Sequence, residues 1–133
     1  MKRNENSCLF CEFATDRENI ILENEHFYSR YDRYPVSKGH ALIISKRHIS
    51  SFFDLSDEEI KGFYALIKAT RKTVVKKFQP CSFNIGINDG EMAGQTIPHL
   101  HIHLIPRYKG DVENPQGGVR NIIPNLVKYP PCL

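Results

Sequence analysis

The 133-residue chain is long enough for one domain with a hydrophobic core and too short for two of ordinary size. Its 41% hydrophobic and 25% charged residues are typical of a folded globular protein, and a formal charge of +3, spread along the sequence, does not indicate a nucleic-acid-binding surface. No apolar run approaches the roughly 20 residues that span a bilayer, and the first ten residues lack the apolar core of a signal peptide. We therefore expect a single cytoplasmic domain over residues 1–133, frayed at 1–7, without membrane or nucleic-acid partners.

The first half of the chain predicts three strands. Residues 19–23 and 27–31 are short β-branched or aromatic runs on either side of a polar turn, and they predict a hairpin. Residues 32–39 contain the proline, serine and glycine of a loop. The nearly continuous apolar run from His40 to Ser45 predicts a central strand that is buried on both faces.

One long amphipathic helix follows. Ser56 with Glu59 three residues later forms a capping box, so the helix is expected to begin at Asp57, and Pro80 ends it. Its lysines fall mostly outside an apolar stripe and predict a solvated face. The residues of that stripe are Ile60, Phe63, Ile67, Val74 and Phe78.

Two further strands, at residues 82–87 and 99–107, flank a polar glycine-containing loop at residues 88–94. Residues 108–133 are turn-rich and predict an irregular C-terminal extension. The order of elements predicts an α+β fold: an antiparallel five-stranded sheet with the long helix packed on it.

Three histidines alternate with aliphatic residues in the last strand. Side chains at alternate positions share one face, so His99, His101 and His103 form a row about 13 Å long. Because zinc binds imidazole nitrogen at about 2.1 Å, one ion rarely collects all three from a straight strand. The geometry instead suits a central imidazole held between two neighbours, which makes His101 the candidate nucleophile.

The segment just before this row offers groups that bind anions. Gly94, Gln95 and Thr96 supply backbone N–H groups, an amide and a hydroxyl, which makes phosphorus the natural electrophile for His101. The phosphate-binding pattern GxxxxGKS is absent. Taken alone, these three residues would indicate only a structural turn.

From residue 8 to 107 the sequence resembles the histidine triad family of nucleotide hydrolases and transferases. The resemblance rests on His99-Leu-His-Ile-His-Leu-Ile, Asn88-Asp-Gly, Gly94-Gln-Thr, Gly39-His-Ala-Leu-Ile-Ile and Lys46-Arg-His-Ile-Ser50. It implies that His101 attacks the α-phosphorus of a nucleotide and forms a nucleotidyl-histidine intermediate, which water then opens. The other implied roles are orientation and phosphate binding by His99 and His103, contact with the scissile phosphate by Asn88, a phosphate cradle at Gly94, Gln95 and Thr96, and ribose binding by Asp32.

Cys8 and Cys11 have the spacing with which two thiolates hold one metal ion, although two ligands alone do not make a zinc site. The resemblance to zinc-containing bacterial members of the family implies His48 and His99 as the remaining ligands of a structural, closed tetrahedral zinc. His99 would then serve the metal first, and two free buried cysteines remain the alternative.

Cys81 and Cys132 belong to no such motif and are expected to be a buried small residue and a tail residue. No carboxylate cluster indicates a dedicated Mg²⁺ site, so Mg²⁺ is expected only with the substrate.

Two enzyme branches fit the resemblance: hydrolysis of dinucleoside polyphosphates and cleavage of the P–N bond in adenosine phosphoramidates. Residues 106–120 resemble bacterial members assigned to diadenosine tetraphosphate hydrolysis, and the C-terminal tryptophan motif of phosphoramidases is missing. Arg107, Lys109 and Arg120 are either ligands of the extra phosphates or solvated surface cations.

Phosphorolysis, a regulatory nucleotide-binding module with little turnover, and a small zinc protein remain as alternatives. The expected substrate is a purine nucleotide or dinucleoside polyphosphate. The resemblance also implies a homodimer formed through the long helix and the central strand.

Overall fold

Five strands form one antiparallel sheet in the computed structural model, which describes residues 7–124. Segment 1–6, Cys132 and the end of the predicted C-terminal extension fall outside the described residues. The strands are β1 (Leu22–Glu23), β2 (Phe27–Tyr31), β3 (Ala41–Ser45), β4 (Ser82–Gly86) and β5 (His101–Arg107). They lie in the spatial order β1-β2-β3-β5-β4, so the expected α+β architecture is confirmed.

The central strand β3 has all five residues buried and pairs with β2 on one edge and β5 on the other, as its apolar run predicts. The first strand is shorter than expected because only Leu22 and Glu23 pair with β2. The last strand was expected to begin at His99 and begins at His101 instead. The reason is that the backbone N–H of Leu100 donates to the carbonyl of Ile49, in the segment after β3, at 2.6 Å.

Helix α2 (Asp57–Phe78) covers one face of the sheet. Both halves of the Ser56–Glu59 capping box are present, and the helix ends at Gln79, whose φ of 54° breaks the helical repeat just before Pro80. The predicted apolar stripe is wrong at its first position, because Ile60 is exposed while the next turns bury their side chains against β2, β3 and β5. The buried helical residues are Glu59, Leu66, Ile67, Thr70 and Val74.

A short helix, α1 (Leu9–Phe13), covers part of the opposite face of the sheet. Cys8 and Phe10 pack there against Tyr28, Leu42 and Ile44 in a second, smaller core. The Tyr28 hydroxyl donates to the carbonyl of Phe10 and ties the helix to β2. The amino-terminal segment therefore forms one wall beside the start of β5.

Beyond β5 the described part of the extension, residues 108–124, is mainly turns with one short 3-10 segment at Gly118–Ile122, which contacts β4. The expectation that Cys81 is buried is wrong, because it lies exposed in the turn between α2 and β4. Within residues 7–124, no helix combines the length and apolar character needed to cross a bilayer.

Candidate functional site

A cavity of about 330 Å³ lies beside the first residues of β5, between α1 and the loop that precedes the strand. His101 and His103 line it, as do four of the residues expected to bind substrate: Asp32, Asn88, Gly94 and Thr96. Its volume falls within the range of small-ligand pockets. Residues that are up to 71 positions apart in the sequence are thereby brought to one cavity.

The proton position on His101 follows from one short contact. Its Nδ1 lies 2.8 Å from the backbone carbonyl oxygen of His99, and a carbonyl only accepts hydrogen bonds. Nδ1 therefore holds the proton in the neutral ring, and Nε2 keeps its lone pair. The ring is buried and packs edge-on against Phe10, with ring centroids 4.8 Å apart. This is the tautomer that an imidazole nucleophile needs.

His103 has the opposite tautomer, which is set through His40. The backbone N–H of Val36 donates to Nδ1 of His40 at 3.1 Å, so the proton of His40 lies on Nε2. That Nε2 lies 2.9 Å from Nδ1 of His103, which must accept. The proton of His103 therefore lies on Nε2, where it can be donated to a ligand.

Asp32 lies beside this histidine pair. Its Oδ2 is 3.4 Å from Nε2 of His40 and 3.9 Å from Nδ1 of His103, and its Oδ1 accepts from the backbone N–H of Tyr34 at 2.8 Å. Asp32, His40 and His103 are close enough to hold a metal ion. The proton on Nε2 of His40 argues against one there, because that nitrogen would have to be the ligand.

Burial keeps this histidine pair neutral. It lowers the pKa of His103 to about 4, with smaller contributions from neighbouring His101 and His40, while Asp32 acts in the opposite direction. Burial also lowers the pKa of His40. Near pH 7 both rings are neutral, so the tautomers assigned above are the relevant ones.

Gln95 braces the loop before β5. Its side-chain oxygen accepts from the N–H of Gly90 at 2.8 Å, and its nitrogen donates to the carbonyls of Ser50 at 3.0 Å and Ile97 at 3.2 Å. The amide is thus engaged at both ends, and it lines a neighbouring cavity with Gly94 and Thr96. The sequence placed Gln95 in the phosphate cradle, whereas its contacts here hold the loop in shape.

Arg107 lies away from the histidines. His101 is the first residue of β5 and Arg107 is the last. Six residue steps along an extended strand place the two about 20 Å apart. Its guanidinium donates to both carboxylate oxygens of Asp111, at 2.8 and 2.9 Å, and to the side-chain oxygen of Asn84 at 2.6 Å. This pairing holds the pKa of Asp111 well below its usual range. The structure does not bring Arg107 to the cavity that holds His101.

Four side chains expected to bind zinc converge behind the cavity. Nδ1 of His99 lies 3.3 Å from Sγ of Cys8, 3.6 Å from Sγ of Cys11 and 3.2 Å from Nδ1 of His48, and Cys11 lies 3.3 Å from His48. With zinc–nitrogen bonds near 2.1 Å and zinc–sulfur bonds near 2.3 Å, tetrahedral edges are about 3.4 Å between nitrogens and about 3.6 Å between nitrogen and sulfur. The observed separations are within about 0.3 Å of these edges.

The proton of His99 is placed correctly for a metal ligand. Its Nε2 donates to the carbonyl of Ser45 at 2.7 Å, which leaves the lone pair of Nδ1 directed at the cluster. His99 is fully buried, and it does not line the cavity with His101 and His103. The three histidines thus occupy different environments although they alternate in sequence.

Three residues at the site had no role assigned from the sequence. His40 lies within a motif that carried the family resemblance, and that motif was the available signal for it. Phe10 packs on His101, and Arg30 lines the cavity from β2. Nothing in the local sequence pattern distinguishes Arg30 from a surface arginine.

Comparison with known proteins finds relatives over most of the chain. The chain is 38% identical to an uncharacterized HIT-like protein of Methanocaldococcus jannaschii, over 86% of this chain and 91% of that protein. It is 39% identical to the asymmetrical bis(5'-nucleosyl)-tetraphosphatase of Schizosaccharomyces pombe, over 58% of this chain and 42% of that enzyme.

Among solved structures, a Zn-bound histidine triad family protein from Mycobacterium smegmatis is 32% identical, with a TM-score of 0.72 over 81% of this chain and 80% of that one. A family model described as the HIT domain matches residues 14–110, which include the loop and strand that carry His101 and His103. The chain therefore belongs to the histidine triad, or HIT, family.

Proposed function

We propose that this protein hydrolyses dinucleoside polyphosphates, such as diadenosine tetraphosphate, at the α-phosphorus. The observation that carries the proposal is the pair of opposite tautomers on β5. His101 presents a lone pair on Nε2 and His103 presents a proton on Nε2, with ring centroids 5.3 Å apart in one cavity. A nucleophile beside a hydrogen-bond donor suits attack on a phosphoryl group.

The reaction runs in two displacements. In the first, Nε2 of His101 forms a bond to the α-phosphorus, and the bond from that phosphorus to the bridging oxygen breaks. Nε2–H of His103 donates to a phosphate oxygen, where negative charge develops. For diadenosine tetraphosphate the leaving group is ATP. In the second displacement, water attacks the same phosphorus, which breaks the P–N bond, releases AMP and returns His101 to its neutral form.

Two features support a polyphosphate substrate over a phosphoramidate. A relative covering 58% of this chain is named as a tetraphosphatase, and residues 106–120 resemble members assigned to that reaction. Phosphorolysis would use the same first step, with phosphate replacing water in the second. Mg²⁺ is expected to arrive with the polyphosphate chain, because the histidine cluster at Asp32 does not suit it.

We further propose that Cys8, Cys11, His48 and His99 hold a structural zinc ion. Four of the six separations between the donor atoms are close to tetrahedral edges, all four atoms lie within 4.8 Å of one another, and a solved relative is described as Zn-bound. Four protein ligands leave no open position, so the ion supplies rigidity rather than reactivity. Its effect on the site is to fix His99, whose carbonyl orients His101.

The protein is proposed to act as a cytoplasmic homodimer. The expectation that the central strand contributes to the interface is wrong for β3, because both of its edges already pair within the sheet. No strand within residues 7–124 pairs with the outer edge of β4, and Ile60 and Tyr64 of α2 and Ile85 of β4 are exposed apolar side chains. These features make α2 and β4 the proposed interface.

The direct test offers diadenosine tetraphosphate and adenosine phosphoramidate to the protein side by side. We expect AMP and ATP from the first, at a kcat/KM well above that for the second.

His101→Ala should lower kcat by about 10³-fold or more while retaining AMP binding. His26→Gln, which changes a histidine outside the cavity, is the control and should keep activity. Preferred cleavage of the phosphoramidate would contradict the proposed substrate, and retained turnover in His101→Ala would remove His101 from its role.

A further inference from the structure

Asp89 follows Asn88 in the sequence, but only Asn88 of the two lines the proposed substrate cavity. The Asp89 carboxylate is instead bound to the segment after β3. Its Oδ2 accepts a hydrogen bond from the hydroxyl of Ser51 and another from the backbone N–H of Phe52, both at 3.0 Å. Asp89 therefore caps the 3-10 turn Phe52–Asp54 from a position 37 residues later in the chain than Phe52.

The capped segment is held in place by the rest of the fold. Phe52 packs against the main core, and its ring contacts that of Phe63 on α2, with centroids 6.0 Å apart. The same segment also binds the far end of the loop before β5, because the carbonyl of Ser50 accepts from the side chain of Gln95 at 3.0 Å. It is thus a fixed support to which the loop is bound near both of its ends.

Asn88 depends on its backbone for its position. Strand β4 ends two residues earlier, at Gly86, and within the described residues the Asn88 side chain makes no hydrogen bond. A Cβ on Gly94 would lie 3.9 Å from Nδ2 of Asn88, so the amide reaches toward the other end of the loop. The bonds of Asp89, one residue away, are therefore the nearest contacts that can fix the amide in the cavity.

We propose that Asp89 is a positioning residue for the hydrolysis: it holds the backbone of Asn88 so that the Asn88 amide can donate to the phosphate that His101 attacks. This inference rests on the proposed function, since it assumes a phosphate in the cavity. A donor stabilises developing charge only when it is correctly placed, so a displacement of about 1 Å lowers the rate more than it weakens binding. The bonds of Asp89 lie at the surface, and their loss should leave the fold intact.

Two variants of Asp89 separate its hydrogen bonds from its charge. Asp89→Ala should lower kcat for diadenosine tetraphosphate by about tenfold to a hundredfold, with KM within about threefold of the wild-type value. Asp89→Asn removes the charge but should keep most of the activity, because both bonds go to one oxygen, which an amide also supplies. Glu91→Ala removes an equal charge from an exposed side chain of the same loop and should change neither constant.

A double-mutant cycle tests whether Asp89 acts through Asn88. Asn88→Ala removes the amide, so adding Asp89→Ala to that variant should lower kcat by no more than about a further twofold. The proposal is overturned if the two losses multiply, because Asp89 then acts through another group. It is also overturned if Asp89→Asn is as slow as Asp89→Ala, because the charge rather than the capping bonds is then responsible.

NMR signals of the Asn88 side-chain amide in the zinc-loaded protein give a readout without turnover. Saturating AMP should shift these signals in the wild type and in Asp89→Asn, and by less than about half as much in Asp89→Ala. No shift in the wild type, or equal shifts in all three proteins, would overturn the proposal. The expected shifts without turnover of diadenosine tetraphosphate would refute only the proposed hydrolysis, whereas full activity of Asp89→Ala would refute only the role of Asp89.

Discussion

At the scale of single residues, His101 and His103 are two positions apart on one strand and differ in where the proton lies. The carbonyl of His99 holds it on Nδ1 of His101, whereas a chain from Val36 through His40 places it on Nε2 of His103. Burial lowers the pKa of His103, so its ring donates this hydrogen bond in the neutral form. The same residue type thus supplies a lone pair and a donor side by side.

The lowered pKa of His103 gives a testable pH dependence. Its pKa is about 4 in the folded chain and about 6.5 when unfolded, so the unfolded chain binds more protons between these values. The contribution of His103 to stability is therefore full above pH 6.5 and lost as the pH falls toward 4. In NMR titrations we expect the His103 ring to stay neutral down to about pH 5.

The comparison with His103→Gln isolates this effect from other titrating groups. Denaturant titration measures the free energy of unfolding of the wild type and of the variant. The wild-type value minus the variant value should decrease as the pH is lowered from 6.5 to 4.5. A constant difference, or an NMR midpoint between 6 and 7, would contradict the assigned environment of His103.

Residue spacing was enough to propose His101 as the candidate nucleophile, and the family resemblance grouped it with Asp32, Asn88 and Thr96, which line the same cavity. Spacing was not enough for Arg107, because whether an arginine is free depends on neighbours such as Asp111 and on its distance along the strand. The positions of the histidine protons could not be predicted from the sequence either, because backbone carbonyl and N–H groups and side chains brought close by the fold determine them.

At the scale of elements, the cysteine–histidine cluster joins three parts of the fold. Cys8 and Cys11 belong to the segment of α1, His48 follows β3, and His99 precedes β5. A zinc ion at this point would hold α1 against the sheet, and with it Phe10, which packs on His101. The metal would therefore shape the cavity without touching the substrate.

Cys8→Ser should release the zinc, because a neutral hydroxyl is a poor replacement for a thiolate. We expect the metal content to fall from about one ion per chain to near zero, and Tm to fall by at least about 5 °C. Elemental analysis and thermal unfolding measure the two effects. Cys81→Ser, which changes an exposed cysteine outside the cluster, should alter neither. Zinc retained in Cys8→Ser would refute the ligand set.

The elements themselves differ in how well the sequence predicts them. Helix α2 was predicted to the residue at its start, because Ser56 and Glu59 act locally. The start of β5 was not, because the irregular pairing of Leu100 with Ile49 depends on tertiary contacts. The exposure of Ile60 was missed for a related reason: periodicity identifies an apolar stripe but not where the sheet beneath the helix ends.

Across the whole sheet, the outer edges of β1 and β4 pair with no other strand of the described segment, residues 7–124. Strand β1 pairs over two residues only, whereas β4 pairs over five and leaves its outer edge open beside the exposed Ile85. Tyr64 of α2 is another exposed apolar side chain, at 60%. An open edge with apolar neighbours is a surface that proteins usually cover.

Light scattering should therefore give the mass of a dimer for the wild type, and Tyr64→Glu should shift it toward the monomer, since it places a charge in the proposed interface. Tyr34→Glu is the matched control, because Tyr34 is an exposed tyrosine in the loop after β2. That variant should stay dimeric. A monomeric wild type would refute the dimer, and an unaffected Tyr64→Glu variant would move the interface elsewhere.

If His101 is the nucleophile, it becomes covalently attached to the nucleotide during turnover, and this species can be trapped. Diadenosine tetraphosphate is mixed rapidly with the protein, the reaction is quenched in base to protect the P–N bond, and digested peptides are analysed by mass spectrometry. We expect one adenylyl group on the peptide that carries His101, localised to that residue and absent from His101→Ala. An adduct on His103, or product formation with no adduct at any time point, would contradict it.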